Sequence, residues 1–438
     1  MSVKKLAPVI VSAVLLITAL VARAYSVKNE VKPTSTATVD TATIDSAVDE
    51  QPKKAEKEMR GVWVSYIELD MQNETDKSEA SFREKFKNIA ITSKNAGFNT
   101  LIVQVRPFCD ALYDSKFFPY SHILSGEQGV NPGYDALEVM CEVCSQLDLD
   151  IHAWVNPYRI STDSTPQALS VTNPYVIDNE IGEETENGIF LNPANKMARN
   201  LIIDGVTEIV RNYDVDGIQF DDYFYPTQDS DFDDTEYADY VETVGEMNCM
   251  SIDNWRLANV NTLICDTYRA IHKISDDVEF GISPQGNIDN NAQIYADVKS
   301  WCICKGFVDY ICPQLYYSLD NPALTFEDSL TAWSELDINK SVKLYVGLAG
   351  YKANSDADEG TWLYSNNILA DEYKIAVNNE KVSGIMLYSY SALKDENAST
   401  EIANLTKAMS NNLDAENQTT VPTPVSYTHL RAHETSQD

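Results

Sequence analysis

The stretch Val215-Asp216-Gly217-Ile218-Gln219-Phe220-Asp221-Asp222-Tyr223-Phe224-Tyr225-Pro226 runs from apolar β-formers straight into two adjacent carboxylates and an aromatic cluster. On a strand, side chains alternate faces, so Ile218 and Phe220 share one face while Gln219 and Asp221 share the other. With Ile218 and Phe220 packed under helices, Gln219 and Asp221 point into the space that the sheet encloses. A carboxylate at that depth costs free energy unless it is paired, hydrogen-bonded or solvated in a cleft. An isolated Asp pair is more often a helix cap or a surface pair. Its place at the carboxyl end of a strand is what favours chemistry here.

Working outward, short apolar β-rich runs alternate with segments of helical period from Met59 onward. Arg60-Gly61-Val62-Trp63-Val64-Ser65-Tyr66 reads as the first strand, and Phe82, Phe86, Ile89 and Ala90 give the first helical stripe. Further strands are expected at 100–106, 150–156, 215–221, 278–283, 308–315, 342–348 and 384–390. Helices are expected at 134–147, 194–213, 255–274, 291–304, 326–336 and 401–409. Strand followed by helix, repeated to eight strands, predicts an α/β fold, a parallel (β/α)8 TIM barrel. The alternative, an open doubly wound sheet, lacks a Gly-rich first turn of dinucleotide type. Long loops after the second, third and fourth strands build up one face, the catalytic face of such barrels, and Asp221 and Asp222 belong to it.

The ends read differently from the middle. Residues 1–24 carry Lys4 and Lys5, a mostly apolar run and Ala22-Arg23-Ala24, the pattern of a secretory signal peptide cleaved after Ala24. Membrane attachment is expected only if that segment stays uncleaved. Residues 25–58 lack any period and predict a flexible linker; 59–411 hold the barrel; 412–424 form a Thr/Pro linker. Residues 425–438 have no foldable pattern and read as a non-native tail, with the natural chain expected to continue past the linker.

The formal net charge of −34 argues against nucleic acid and against anionic lipid as partners. All eight cysteines lie in the exported part, where disulfides are permitted but not imposed. For Cys141 and Cys144, buried free thiols are the expectation. No metal or cofactor is expected, because Cys141 and Cys144 share a helical face without further ligands at suitable spacing, and His122, His152 and His272 do not supply them.

The strand ends collect Tyr66, Glu68, Arg106, Asp110, Asn156, Tyr158, Arg159, Tyr225, Gln285, Gln314, Tyr316 and Tyr388 around Asp221 and Asp222. Flat rings stack on sugar faces, and amides and carboxylates bind hydroxyls, so this set predicts a polysaccharide ligand. Any one of these residues could equally be rim packing. There is no G-x-S-x-G elbow, no P-loop and no H-E-x-x-H, which leaves carboxylate chemistry. Glycoside hydrolysis needs one carboxylate as nucleophile or base and a second group as acid. Asp221 and Asp222 are the expected catalytic residues.

Several runs make a resemblance specific: Arg60-Gly61-Val62-Trp63, Gln104-Val105-Arg106-Pro107, Asp110-Ala111-Leu112-Tyr113, Pro132-Gly133-Tyr134-Asp135, the run from His152 to Arg159, Asp216 through Pro226, Phe280-Gly281-Ile282-Ser283-Pro284, and Asp309-Tyr310-Ile311-Cys312-Pro313-Gln314. In these, residues 59–410 resemble the glycosyl hydrolase-like family 10, formerly domain of unknown function 187. The resemblance implies a (β/α)8 glycosidase of the bacterial envelope, similar to a type that acts on peptidoglycan strands stripped of stem peptides. By comparison with amylase-like barrels the nucleophile falls on Asp221. The general acid stays open among Asp222, Glu68 and Asp110. Muramic acid without its peptide carries a free carboxylate, for which Arg106 and Arg159 would supply the local positive charge, unless they pair with Asp221 or another rim carboxylate. The expected function is an exported hydrolase of envelope glycan. The rival readings are a barrel that binds glycan without cleaving it and a hydrolase of another polysaccharide.

Overall fold

Eight parallel strands close on themselves in the computed structural model, which describes residues 58–162 and 165–419. They are β1 (Met59–Val64), β2 (Thr100–Arg106), β3 (Asp150–Val155), β4 (Gly217–Phe220), β5 (Glu279–Ile282), β6 (Tyr310–Ile311), β7 (Lys343–Ala349) and β8 (Val382–Tyr388). Each pairs with the next in sequence, and β8 returns to β1. Eight helices follow the strands in turn: α1 (Glu79–Asn95), α2 (Ala136–Gln146), α3 (Lys196–Asn212), α4 (Ile252–His272), α5 (Val298–Ile303), α6 (Phe326–Ser334), α7 (Ile368–Val377) and α8 (Ser399–Thr419). The first six start where a side chain satisfies orphan amides, from Ser78, Asp135, Asn195, Ser251, Asp297 and Thr325. The chain is a (β/α)8 barrel, as the alternation predicts. The expected signal peptide, nearly all of the spacer, the end of the Thr/Pro linker and the tail lie outside the described residues.

Two cores follow from the period-2 alternation. Outward strand residues such as Val62, Leu101, Ile218, Phe220, Phe280 and Leu348 pack against the helices. Inward residues, among them Trp63, Ile102, Trp154, Tyr310, Tyr345 and Met386, fill the lumen. A polar thread runs through that lumen. Trp63 Nε1 donates to Gln219 Oε1 at 2.5 Å, and Gln219 Nε2 donates to the Tyr310 hydroxyl at 3.2 Å. Since the amide can only donate there, the Tyr310 O–H is free to donate to His152 Nδ1, 2.9 Å away. Burial pushes the His152 imidazolium down to about 4, so the ring is neutral and can accept.

Several local expectations are corrected. The region between β3 and α3 is not a bare loop but carries a three-stranded antiparallel sheet, Arg159–Ser161, Gly182–Thr185 and Gly188–Leu191. A helix at Asp234–Val244 precedes α4. The helix expected over 291–304 is split by Tyr295, whose φ of 55° is left-handed, into a 3-10 turn at Ile288–Ile294 and α5. β6 is shorter than the expected 308–315 because Pro313 has no N–H to donate, and pairing resumes only at the single residue Gln314. The last helix continues through 412–419, into the expected linker, since the first helix-breaking proline is Pro422. All eight cysteines are free.

Lumen packing depends on missing side chains. A Cβ on Gly281 would fall 2.0 Å from the Tyr310 ring, which is tethered by Gln219 and His152 and cannot easily yield. Gly281→Ala is therefore expected to destabilise the barrel by about 1–3 kcal/mol, the scale of overpacking a filled core. Denaturant unfolding checks it, and an unchanged midpoint would mean that Tyr310 is not fixed.

Candidate active site

Asp221 is the first residue beyond β4, and strand alternation carries its side chain inward from the Gln219 face. It is 4% exposed. Its Oδ2 accepts from Trp154 Nε1 at 3.0 Å and from Asn156 Nδ2 at 3.1 Å, both reaching across from β3 and the turn after it. Oδ1 is buried without a hydrogen-bond partner. Burial pushes the carboxyl up to about 7, against the nearby Arg159 charge, while Asp222 adds to the rise. Asp222 follows where the chain has left the strand, so alternation no longer governs it and it too reaches the cavity. It leans the other way: its Oδ1 accepts from Gln314 Nε2 at 3.1 Å. Burial raises this carboxyl as well, with Gln314 and Gln285 opposing the shift.

The two carboxylates sit in the wall of a cavity of about 230 Å³ that opens to solvent at the C-terminal ends of the strands. The remaining wall is aromatic. Tyr388 meets Trp63 edge-on at 6.0 Å and Trp154 at 6.5 Å between ring centroids. Tyr316 and Tyr351 each stand 5.8 Å from Tyr388 and from one another. Ser283 and Gln314 complete the polar side. Trp63, Trp154 and Tyr351 were not among the expected site residues. Alternation from Asn156 would have found Trp154, and alternation within β1 sets Trp63 inward, whereas Tyr351 lies in the turn after β7 and carries no periodic signal.

The other expected residues divide. Asn156 orients Asp221 and accepts from the Arg159 amide at 2.9 Å. The Arg159 guanidinium is held between the rings of Phe108 (4.8 Å) and Tyr223 (5.3 Å) by its Nε bond to the Pro107 carbonyl, 2.9 Å. Tyr66 packs edge-on to Phe108 at 5.5 Å. Glu68 does not line the cavity; it accepts from Ser65 and, at 3.1 Å, from Ser389 Oγ, and its charge acts on the Tyr388 phenol together with that of Asp221. Gln285 stands behind Asp222.

Four expected contacts are not available to a ligand. Arg106 is 1% exposed and stacks over Phe118 beneath α3, where Gly205 leaves room that a Cβ, 2.3 Å from Nη1, would fill. A register shift in the β2–β3 pairing between Gln104 and Arg106 turns it out of the lumen. Asp110 is fully buried, with Oδ2 bound to Gln128 at 3.0 Å and to His122 at 3.3 Å. Tyr158 packs on Phe224, and Tyr225 on Phe232 and Tyr295 under the Arg256 guanidinium. Among the described residues no group of three or more His, Cys, Asp and Glu is placed to hold a metal ion.

The raised Asp221 carboxyl has a sign-definite consequence. In the unfolded chain the group ionises near 4, in the folded protein near 7. Its contribution to stability is therefore intact below pH 4 and is lost as pH rises through 7. Asp221→Asn keeps an oxygen for Trp154 and Asn156 and removes the charge. The variant is expected to be more stable than the parent at pH 8 by on the order of 2–4 kcal/mol, with no gain at pH 4. Thermal unfolding at both values checks this; an equal difference at both would show that the carboxylate is not held against its charge.

Comparison with known proteins places this architecture. The family model described as Glycosyl hydrolase-like 10 matches residues 58–363. Glycosyl hydrolase YngK of Bacillus subtilis (strain 168) is 33% identical over 323 residues, covering 70% of this chain, and the match spans 63% of that relative's own length. Glycosyl hydrolase DigH of Escherichia coli (strain K12) is 27% identical over 373 residues, covering 77% of this chain and 84% of that one. Among solved structures, the glycoside hydrolase domain of PgaB (BpsB) from Bordetella bronchiseptica superposes with a TM-score of 0.53 at 10% identity, over 81% of this chain and 99% of that one. α-L-Fucosidase isoenzyme 2 from Paenibacillus thiaminolyticus gives 0.52 at 13% identity, over 83% and 50%. At such identities the likeness is one of fold. The family match is of a different order, and by it the chain belongs to the glycosyl hydrolase-like 10 family.

Proposed function

We propose that this protein is an exported glycoside hydrolase of bacterial envelope glycan, acting on peptidoglycan strands that lack stem peptides. The observation that carries the reading is the pair Asp221 and Asp222, both raised by burial, in the wall of an aromatic-lined cavity at the strand ends. Buried carboxylates destabilise a fold, and aromatic rings around an open cavity suit the faces of a sugar. Family membership supports the reaction class. The export signal read in residues 1–24 supports the location.

Arg159 supports the peptide-free substrate. Its guanidinium is fixed by two rings and one carbonyl, and it is the cation that acts on Asp221. A muramic acid carboxylate exposed by loss of its peptide offers that cation a partner, and an uncharged chitin-type chain does not.

Purified protein is expected to release fragments from peptide-free strands, read by mass spectrometry, and Asp221→Asn to slow this by several orders of magnitude while staying folded. Binding without turnover by the parent protein would favour the non-catalytic barrel. Turnover confined to another polymer would favour a different polysaccharide. Arg159→Ala is expected to weaken peptide-free strands about 10- to 100-fold, the scale of a charge-assisted hydrogen bond, and chitin-type oligosaccharides much less. Equal losses on both would assign Arg159 to holding Asp221.

A further inference from the structure

We infer that Asp221 and Asp222 act as a substrate-assisted pair, in which the 2-acetamido group of the bound sugar is the nucleophile, Asp221 takes its N–H, and Asp222 protonates the leaving oxygen. This rests on the proposed glycosidase function and deepens it, because it requires a 2-acetamido sugar on the non-leaving side of the cut bond.

The cavity's two carboxylates are consecutive residues on the end of a single strand, β4. A direct nucleophile and an acid must flank the scissile bond from opposite sides, about 5–5.5 Å apart with retention and about 6.5–9.5 Å apart with inversion. This pair is rooted at neighbouring positions of one strand end, with Cα atoms about 3.8 Å apart, and not on two facing strands. The rest of the wall offers Ser283, Gln314, Tyr316 and Tyr388, none of them a carboxylate. Glu68 does not line the cavity and is tied to Ser65 and Ser389. Among the described residues no third carboxylate lines the cavity, so the attacking group is assigned to the substrate.

Depth divides the two roles. Asp221 is almost wholly buried, one oxygen fixed by Trp154 and Asn156 and the other buried with no side-chain donor on it, although the Tyr223 backbone amide also favours its anion, so that it can accept from a ligand N–H. Around it Trp63, Trp154 and Tyr388 meet edge to face and make an apolar recess that suits an acetamido methyl. Asp222 is the more exposed of the two, where a leaving chain and an incoming water can both reach it. Its raised proton affinity suits a donor, and an acetamide N–H brought to Asp221 would favour the anion there.

The chemistry balances without a co-reactant other than water. The acetamido oxygen attacks the anomeric carbon, the bond to the leaving sugar breaks, and the leaving oxygen takes the electron pair and the Asp222 proton. The cyclic oxazolinium carries its positive charge next to the Asp221 carboxylate. Water then attacks the anomeric carbon and gives a proton to Asp222, the ring opens, and the acetamido group is restored with configuration retained.

Three readouts test the proposal. Peptide-free strands that have been N-deacetylated should be cut on the order of 1,000-fold more slowly than acetylated ones. The thiazoline analogue of N-acetylglucosamine, a mimic of the cyclic intermediate, should inhibit the enzyme and raise its melting temperature, and Asp221→Asn should lose both effects. With a 4-nitrophenyl leaving group, Asp222→Asn should be rescued by azide with retained configuration and Asp221→Asn should not. Equal cutting of acetylated and deacetylated strands, or inverted product, overturns the inference while leaving the hydrolase standing. If no envelope glycan is cut, the substrate reading fails, and thiazoline binding still decides the pair: binding that needs Asp221 supports it, no binding overturns it.

Discussion

The structure turns on one costly placement, the carboxyl of Asp221 almost wholly buried at the end of β4. Two hydrogen bonds from Trp154 and Asn156 offset part of the cost of desolvating it, but its raised proton affinity shows that they do not cancel it. One oxygen is left buried without a side-chain partner. Such an arrangement is retained where function requires it, since an amide or an apolar side chain would be more stable there.

Holding that carboxyl needs a stiff base, and the lumen supplies one. Trp63 and Gln219 form both the floor of the cavity and the top of the thread that runs to Tyr310 and His152. Each hydrogen bond fixes the orientation of the next group: the indole can only donate, so it sets the face of the amide, which in turn sets the direction of the Tyr310 hydroxyl. The floor is polar yet satisfied, and large rings rather than water fill the space beneath the site. Positions such as Gly281, which make room for those rings, thereby bear on the site from a distance.

Much of this is legible in the sequence because a (β/α)8 barrel is written in periods. Alternation along Gly217–Phe220 sets Gln219 and Asp221 inward, and the order of strands and helices follows from runs separated by capped helix starts. What escaped depends on local breaks of period. A single register shift in β2 sends Arg106 behind the barrel instead of to its mouth, with Gly205 making the room. Asp110, Tyr158 and Tyr225 lie beyond strand ends, where packing against His122, Phe224 and Tyr295 decides their direction. Tyr351 enters the cavity from a turn that has no pattern at all. Period reaches as far as the first residue past the strand, and the identity of the rim is settled by tertiary contacts.

The fold holds the Asp221 carboxyl buried and poised near neutrality. Carbon-13 NMR titration of the aspartate carboxyl groups tests it most directly, with the resonance assigned by its disappearance in Asp221→Asn and the coupling to its neighbour judged in Asp222→Asn. Asp221 is expected to titrate with an apparent pKa of about 7, falling when Asp222 is neutralised. A titration near the ordinary aspartate value of about 4 would contradict it, because the carboxyl would then be solvated and the cavity would not be the site described.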